Sequence, residues 1–334
     1  MVVLGFGELA DPVHEVERVA EVLERERALE GALVLAPGIR FGHDLSIHES
    51  MAVSGERTRS RLRPLAGGKS RPARELVVDA FFGPLAGLLA LALLPLRVPP
   101  PALVLANVAA GCAAAFALQQ GALVAAAILL QLKTLLDNAD GRLARASGRV
   151  TLVGRYLDTE ADVVVNAVLF AALGSLTGRP WLALAAFCVL TLVLSTGFNL
   201  AELYRTAHGG EVGAVPASGG ALEGALAGAY RVVFGPQDRL LRAFATSRLA
   251  RILDGDDDPE RRRAATRAYH DRATMAVLAN LGLSTQLVVL GLCLVLGAPE
   301  LYLWLVVASG ALLPLLQLRR EWLARRALSG PRAA

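Results

Sequence analysis

Four aspartates, Asp137, Asp140, Asp158 and Asp162, fall within 26 residues that read D-N-A-D-G-R-L-A-R-A-S-G-R-V-T-L-V-G-R-Y-L-D-T-E-A-D. Long apolar runs flank the stretch on both sides. Ionisable groups at the edge of a bilayer core are costly, so they mark function by default. Four carboxylates brought together repel one another and need a counter-charge. Divalent cations supply it: all-oxygen ligation suits Mg2+ or Mn2+, and two such ions balance four negative charges. The stretch contains no His or Cys, which argues against zinc, and it lacks the alternating ligand spacing of an EF-hand. A pair of hard cations with arginines nearby is what a reacting pyrophosphate requires. A merely structural set of interhelical ion pairs would not need small residues on the same faces.

Helical geometry sorts the side chains into faces. On one helix, relative to Asp137, Asp140 falls at about −60°, Gly141 at about +40°, Ala144 at about −20° and Lys133 at about −40°. On a second helix Gly154, Asp158 and Asp162 step round by about 40° each, with Arg155 within about 20° of Asp162. Two antiparallel helices joined by a loop near 146–153 can turn these faces toward each other.

The elements that must hold these faces are membrane helices. The chain has 334 residues, 54% of them hydrophobic and 19% charged, and its mean hydropathy is +0.48. Six apolar segments near 101–119, 122–138, 157–177, 181–200, 273–297 and 300–318 have the length needed to cross a hydrocarbon core. The expected fold is an all-α polytopic membrane protein with six transmembrane helices over 101–320, and a basic tail at 321–334. Asn107 and Gly111 interrupt the first crossing, and Cys112, Cys188 and Cys293 sit singly in apolar segments, as small hydrophobes do.

Parity of the crossings places the motif loop, the excursion at 201–272 and the C-terminus on one side. Their arginines assign that side to the cytoplasm. The apolar stretch 76–96, preceded by a basic linker within 66–100, is then expected to lie at the interface or re-enter, bending at Gly83-Pro84. Net charge is +4 without basic–aromatic interleaving, so anionic lipid, not nucleic acid, is the expected partner.

Residues 1–65 form a small cytoplasmic α/β-like segment in this reading, with His43, Asp44, His48 and Glu49 as solvated loop residues. In the excursion, 209–228 is Gly/Ala-rich and 229–250 reads as one amphipathic helix on the membrane surface. The acidic run at 254–258 reads as a solvated turn. The start lacks a basic region and cleavage site, and the Lys-poor, Arg-rich composition points to a bacterial plasma membrane.

The pattern Asp-x-x-Asp-Gly-x-x-Ala-Arg, eight residues, then Gly-x-x-x-Asp-x-x-x-Asp resembles the signature of the CDP-alcohol phosphotransferase family. Asp137, Asp140, Gly141, Ala144, Arg145, Gly154, Asp158 and Asp162 match it position for position. The resemblance extends to the architecture from about 75 to 320, without a counterpart for 1–65 or 205–270. It implies displacement of CMP from a CDP-linked alcohol by the hydroxyl of an acceptor alcohol. Asp137, Asp140, Asp158 and Asp162 would hold two Mg2+ or Mn2+ ions, and Asp162 would also act as general base. Gly141, Ala144, Arg145, Gly154 and Asn107 would receive the CDP end. Asn107 stands alone where other members carry Pro-Asn-x-x-Thr. The donor would be CDP-diacylglycerol or a CDP-linked polar alcohol. Lys133, Arg155 and Arg205 could meet a phosphorylated acceptor, although Lys133 could equally neutralise Asp137. A homodimer is also expected. The competing reading is an ion-coupled membrane transporter built on the same carboxylates.

Overall fold

The computed structural model describes residues 72–210 and 220–329, and all regular structure among them is helical. The α/β-like segment expected at 1–65, His43, Asp44, His48 and Glu49 with it, and most of the basic linker lie outside the described residues.

Twelve helices follow in order. Helix α1, Val78–Leu93, opens with a π-helical turn at Val78–Phe82. Four long helices come next: α2 (Pro100–Gln119), α3 (Leu123–Ala146), α4 (Leu152–Thr177) and α5 (Pro180–Ala207). The excursion holds α6 (Ala221–Val233), α7 (Gly235–Leu253) and α8 (Pro259–Tyr269). The remaining segments are α9 (Arg272–Asn280), α10 (Leu283–Val295), α11 (Pro299–Gly310) and α12 (Leu312–Leu328).

Local chemistry sets the boundaries. Prolines stand in the first turn of α2, α5, α7, α8 and α11, where the missing N–H costs nothing. Thr151 Oγ1 caps α4 by accepting from the Gly154 N–H at 3.1 Å. The same helix ends on Gly178 at φ 65°, a left-handed conformation that favours glycine.

Five segments are long and apolar enough to cross a membrane: Pro100–Gln119, Leu152–Thr177, Pro180–Ala207, Pro259–Val295 and Pro299–Leu328. The expected second crossing, α3, is long enough at 24 residues but falls outside that set. Lys133, Asp137 and Asp140 dilute its apolar character. At 16 residues Val78–Leu93 is about 24 Å long, short of a core of about 30 Å. It lays Ala86 and Ala90 against Leu103 of α2 and Ala139 and Leu143 of α3, beside the motif.

The long helices pack as neighbours: α2 on α3 and α4, α3 on α10, α4 on α5, and α5 on α11. Their apolar core, including Leu118, Leu130, Leu173, Leu190, Leu290 and Tyr302, gathers toward the end where the short turns lie. Gly111 lets α2 and α4 touch: a Cβ there would sit 2.3 Å from Val165 Cγ1. Leu105, Phe116, Ile128, Val164, Trp181 and Trp304 are exposed on the outside, a surface suited to lipid. The chain is an integral membrane protein by this measure. One expectation changes in form. Residues 229–250 are not one helix but parts of α6 and α7, which break at Phe234 before Pro236.

Candidate active site

The site sits where α3 and α4 approach the turn between them. Successive helical turns present Lys133 and Asp137 from α3, and Asp158 and Asp162 from α4. Each of Asp137, Asp158 and Asp162 offers a carboxylate oxygen within 4.8 Å of the others. Opposite ligands of an octahedral Mg2+-sized ion lie about 4.2 Å apart, so modest side-chain movement closes this set around a hard cation. All donors are oxygens, with neither His nor Cys in the group. The residues therefore fit a divalent ion of the Mg2+ or Mn2+ type.

The fourth aspartate stands apart. Asp140 is buried at 7% exposure on α3 and does not belong to the three-carboxylate group.

Lys133 is shut off from open solvent and lies within the field of Asp137 and Asp158, but its hydrogen bond goes to Asp162. It is fully buried, and its Nζ donates to Asp162 Oδ1 at 2.7 Å, an ion pair that ties α3 to α4. The stem passes Gly111, where a Cβ would lie 3.4 Å from Lys133 Cδ. Asn107, buried on α2, donates from Nδ2 to Asp137 Oδ1 at 3.3 Å, while its own buried Oδ1 accepts no hydrogen bond. Three helices thus orient two of the carboxylates.

The small residues of the motif leave space at different places. A Cβ on Gly141 would stand 3.3 Å from Arg145 Nη1, so the guanidinium folds back over the glycine. A Cβ on Gly154 would meet the capping Thr151 Oγ1 at 3.3 Å. Ala144 is half-buried on the same helix as Arg145. Arg142 lies against α1, where a Cβ on Gly83 would be 3.0 Å from its Nη2.

Asp158 and Asp162 open onto a cavity of about 540 Å³ between α4, α5 and the α6–α7 hairpin. Arg155, exposed on α4, lines its rim, whereas Arg205 does not line it. Its lining also holds groups that the sequence alone did not mark as part of a site: Asn166, Glu202, Tyr230, Asp238 and Arg242. Two signals were available, since Asn166 stands one turn after Asp162 and Glu202 closes an otherwise apolar helix. The acidic run at 254–258 serves structure: Asp258 Oδ1 caps α8 by accepting from the Glu260 N–H at 2.9 Å, and Asp256 pairs with Arg261 at 3.1 Å.

Residues 97–245 match the family model described as CDP-alcohol phosphatidyltransferase. These residues form a domain of that family. The match spans α2 to α5 with both halves of the aspartate motif, and it continues through 205–245, where the resemblance offered no counterpart. No curated protein and no solved structure matches the chain. The family consists of CDP-alcohol phosphotransferases of lipid synthesis, generally dependent on divalent metal, acting between a CDP-alcohol donor and an alcohol acceptor.

Proposed function

We propose that this protein transfers a phosphoalcohol group of the phosphatidyl type from a CDP-alcohol to an acceptor hydroxyl and releases CMP. The observation that carries the reading is the gathering of Asp137, Asp158 and Asp162 on two helices inside the matched region, at the edge of a cavity of about 540 Å³.

Asp137, Asp158 and Asp162, together with Asp140, would hold the divalent cations, two Mg2+ or Mn2+ ions. When bound, such ions neutralise phosphate oxygens and the charge that develops on the leaving group. The protein's own share is orientation. Asn107 holds Asp137, Lys133 holds one oxygen of Asp162, and the Asp162 carboxylate borders the cavity. Asp162 would take the proton of an acceptor hydroxyl as that oxygen attacks the distal phosphorus of the donor. The new O–P bond forms as the bridging P–O bond breaks, and CMP leaves with its phosphate. Gly141, Ala144 and Gly154 keep the helix surfaces low enough for the cytidine end, and Arg145 offsets phosphate charge. Held in line by these contacts, the reactants need little reorganisation.

The donor would be CDP-diacylglycerol or a CDP-linked polar alcohol drawn from the membrane surface. Six crossings, with α3 as the second, put the site, the arginine-rich loops and the C-terminus on the cytoplasmic face of a bacterial plasma membrane. A homodimer is compatible with the exposed small-residue faces of the helices. An ion-coupled carrier built on the same carboxylates gains no support from the family match.

Release of labelled CMP from a panel of CDP-alcohols and acceptors tests the reading. Wild-type protein with Mg2+ or Mn2+ releases CMP only when donor and acceptor are both present. Asp162→Asn lowers the rate at least a hundredfold. Asp158→Asn raises the metal concentration needed for half-maximal rate by about tenfold or more. No CMP from any pair under either metal would overturn the proposal.

A further inference from the structure

The wall of the cavity opposite Asp158 and Asp162 is built by the α6–α7 hairpin. The Tyr230 ring lies 5.6 Å from that of Tyr156, which precedes Asp158 on α4, and 5.2 Å from that of the buried Phe234. The hairpin is therefore pinned to the motif helix by aromatic contact.

Behind the rings runs a continuous polar chain. Asp238 Oδ2 accepts from the Tyr230 hydroxyl at 2.8 Å, and Oδ1 accepts from Asn199 Nδ2 at 2.7 Å. Asn199, wholly buried, accepts in turn on Oδ1 from Arg242 Nε at 2.6 Å, and Arg242 pairs with Glu202. Burial, and then the bond to Asp238, push the Tyr230 phenol well above its usual range, so it stays protonated and remains a donor.

The charges on the cavity wall distinguish acceptors. Among the described residues that line it, four carboxylates (Asp158, Asp162, Glu202, Asp238) face two arginines. Arg155 is exposed at the rim, and Arg242 is already committed to Glu202. Cations bound at Asp158 and Asp162 would serve the donor pyrophosphate, which leaves the far wall with the Asp238 charge. A phosphate dianion there would be repelled, whereas hydroxyl groups can donate to Asp238. Thr191, Ser195 and Asn166, also on the wall, supply neutral donors and acceptors of the kind that bind hydroxyls.

We infer that this cavity receives the acceptor, that the acceptor is an unphosphorylated polyhydroxyl alcohol, and that Asp238, held by Tyr230 and Asn199, is the residue that selects it. The inference rests on the phosphotransferase reading above, and it replaces a phosphorylated acceptor with a neutral one.

The test uses the full chain in detergent or nanodiscs. It compares matched pairs, glycerol with glycerol 3-phosphate and inositol with inositol 1-phosphate, at a saturating CDP-alcohol. The free alcohol of at least one pair should show a kcat/KM at least tenfold above that of its phosphate ester. Asp238→Asn should raise the alcohol KM about tenfold while the donor KM changes less than twofold, and Asp238→Lys should shrink or reverse the preference. Should the charge-reversed protein fail to fold, Tyr230→Phe keeps the ring contacts, removes one bond to Asp238 and should raise the alcohol KM about threefold. Wild-type preference for the phosphate esters overturns the inference, as does CMP release whose acceptor dependence ignores both positions. In either case the transferase reading stands. Failure to release CMP with any donor and acceptor overturns both.

Discussion

Lys133 is the residue on which the carboxylate cluster balances. Its charge is fully buried, and it is tolerable because Asp162 lies at 2.7 Å with Asp137 and Asp158 close by. Removing the cation leaves three gathered carboxylates facing one another. Lys133→Met should therefore cost about 3 kcal/mol of stability, the penalty for breaking a buried pair. Thermal unfolding in detergent should show the midpoint falling in chelator and recovering in part with Mg2+ or Mn2+, by more than wild type gains. A midpoint equal to wild type in chelator would show that the pair is not stabilising. Helical spacing could place Lys133, Asp137 and Asp140 on one face of one helix, since that geometry is local. It could not reveal that the lysine chooses Asp162 across the helix pair, nor that Asp140 stands out of the group, because both depend on how α3 and α4 are rotated against each other.

At the level of elements, the site depends on how closely α2, α3 and α4 approach. Gly111 sits at the crossing, with a would-be Cβ 2.3 Å from Val165 Cγ1 and 3.4 Å from Lys133 Cδ. Gly111→Ala should push α2 from α4 and disturb Lys133, lowering stability by about 1–3 kcal/mol and reducing CMP release. Val165→Ala removes the clashing methyls, so the double variant should regain part of both losses; if it is no better than Gly111→Ala alone, the close contact is not the cause. The helix starts were legible from Pro100, Pro180, Pro259 and Pro299, since proline in a first turn costs no hydrogen bond. The same signal at Pro236 marks the start of α7 and splits the amphipathic run at Phe234. That break turns the excursion into a hairpin over the cavity, an arrangement that amphipathic spacing by itself cannot express. A second tertiary contact was equally hidden: Arg248 of α7 donates from Nε and Nη2 to Glu321 of α12 at 2.6 and 2.8 Å, fastening the C-terminal helix to the excursion.

For the whole molecule, charge and length argue for one orientation. The far turn between α4 and α5 carries Arg179, which pairs with Glu300 at 3.0 Å, while the motif turn carries Arg145 and Arg149. Single cysteines introduced in a cysteine-free background should label from the cytoplasm at Pro99 and Arg149, and from outside at Gln120 and Gly178. External labelling at Pro99 would mean that Val78–Leu93 crosses, at the cost of a thinned bilayer. Apolar length was readable along the chain, because a bilayer imposes it directly. Helix α3, expected as the second crossing, falls outside the five apolar segments because the chemistry resides in it: the charges that build the site are the ones that lower its hydropathy.

The central claim is tested most directly by following the phosphorus. With a CDP-alcohol labelled in the phosphate next to its alcohol, purified wild-type protein and a divalent cation should pass the label into an acceptor phosphodiester. Unlabelled CMP should appear in equal amount, and Asp162→Asn should abolish both. Label that stays in the donor, or leaves as CDP, would contradict the account.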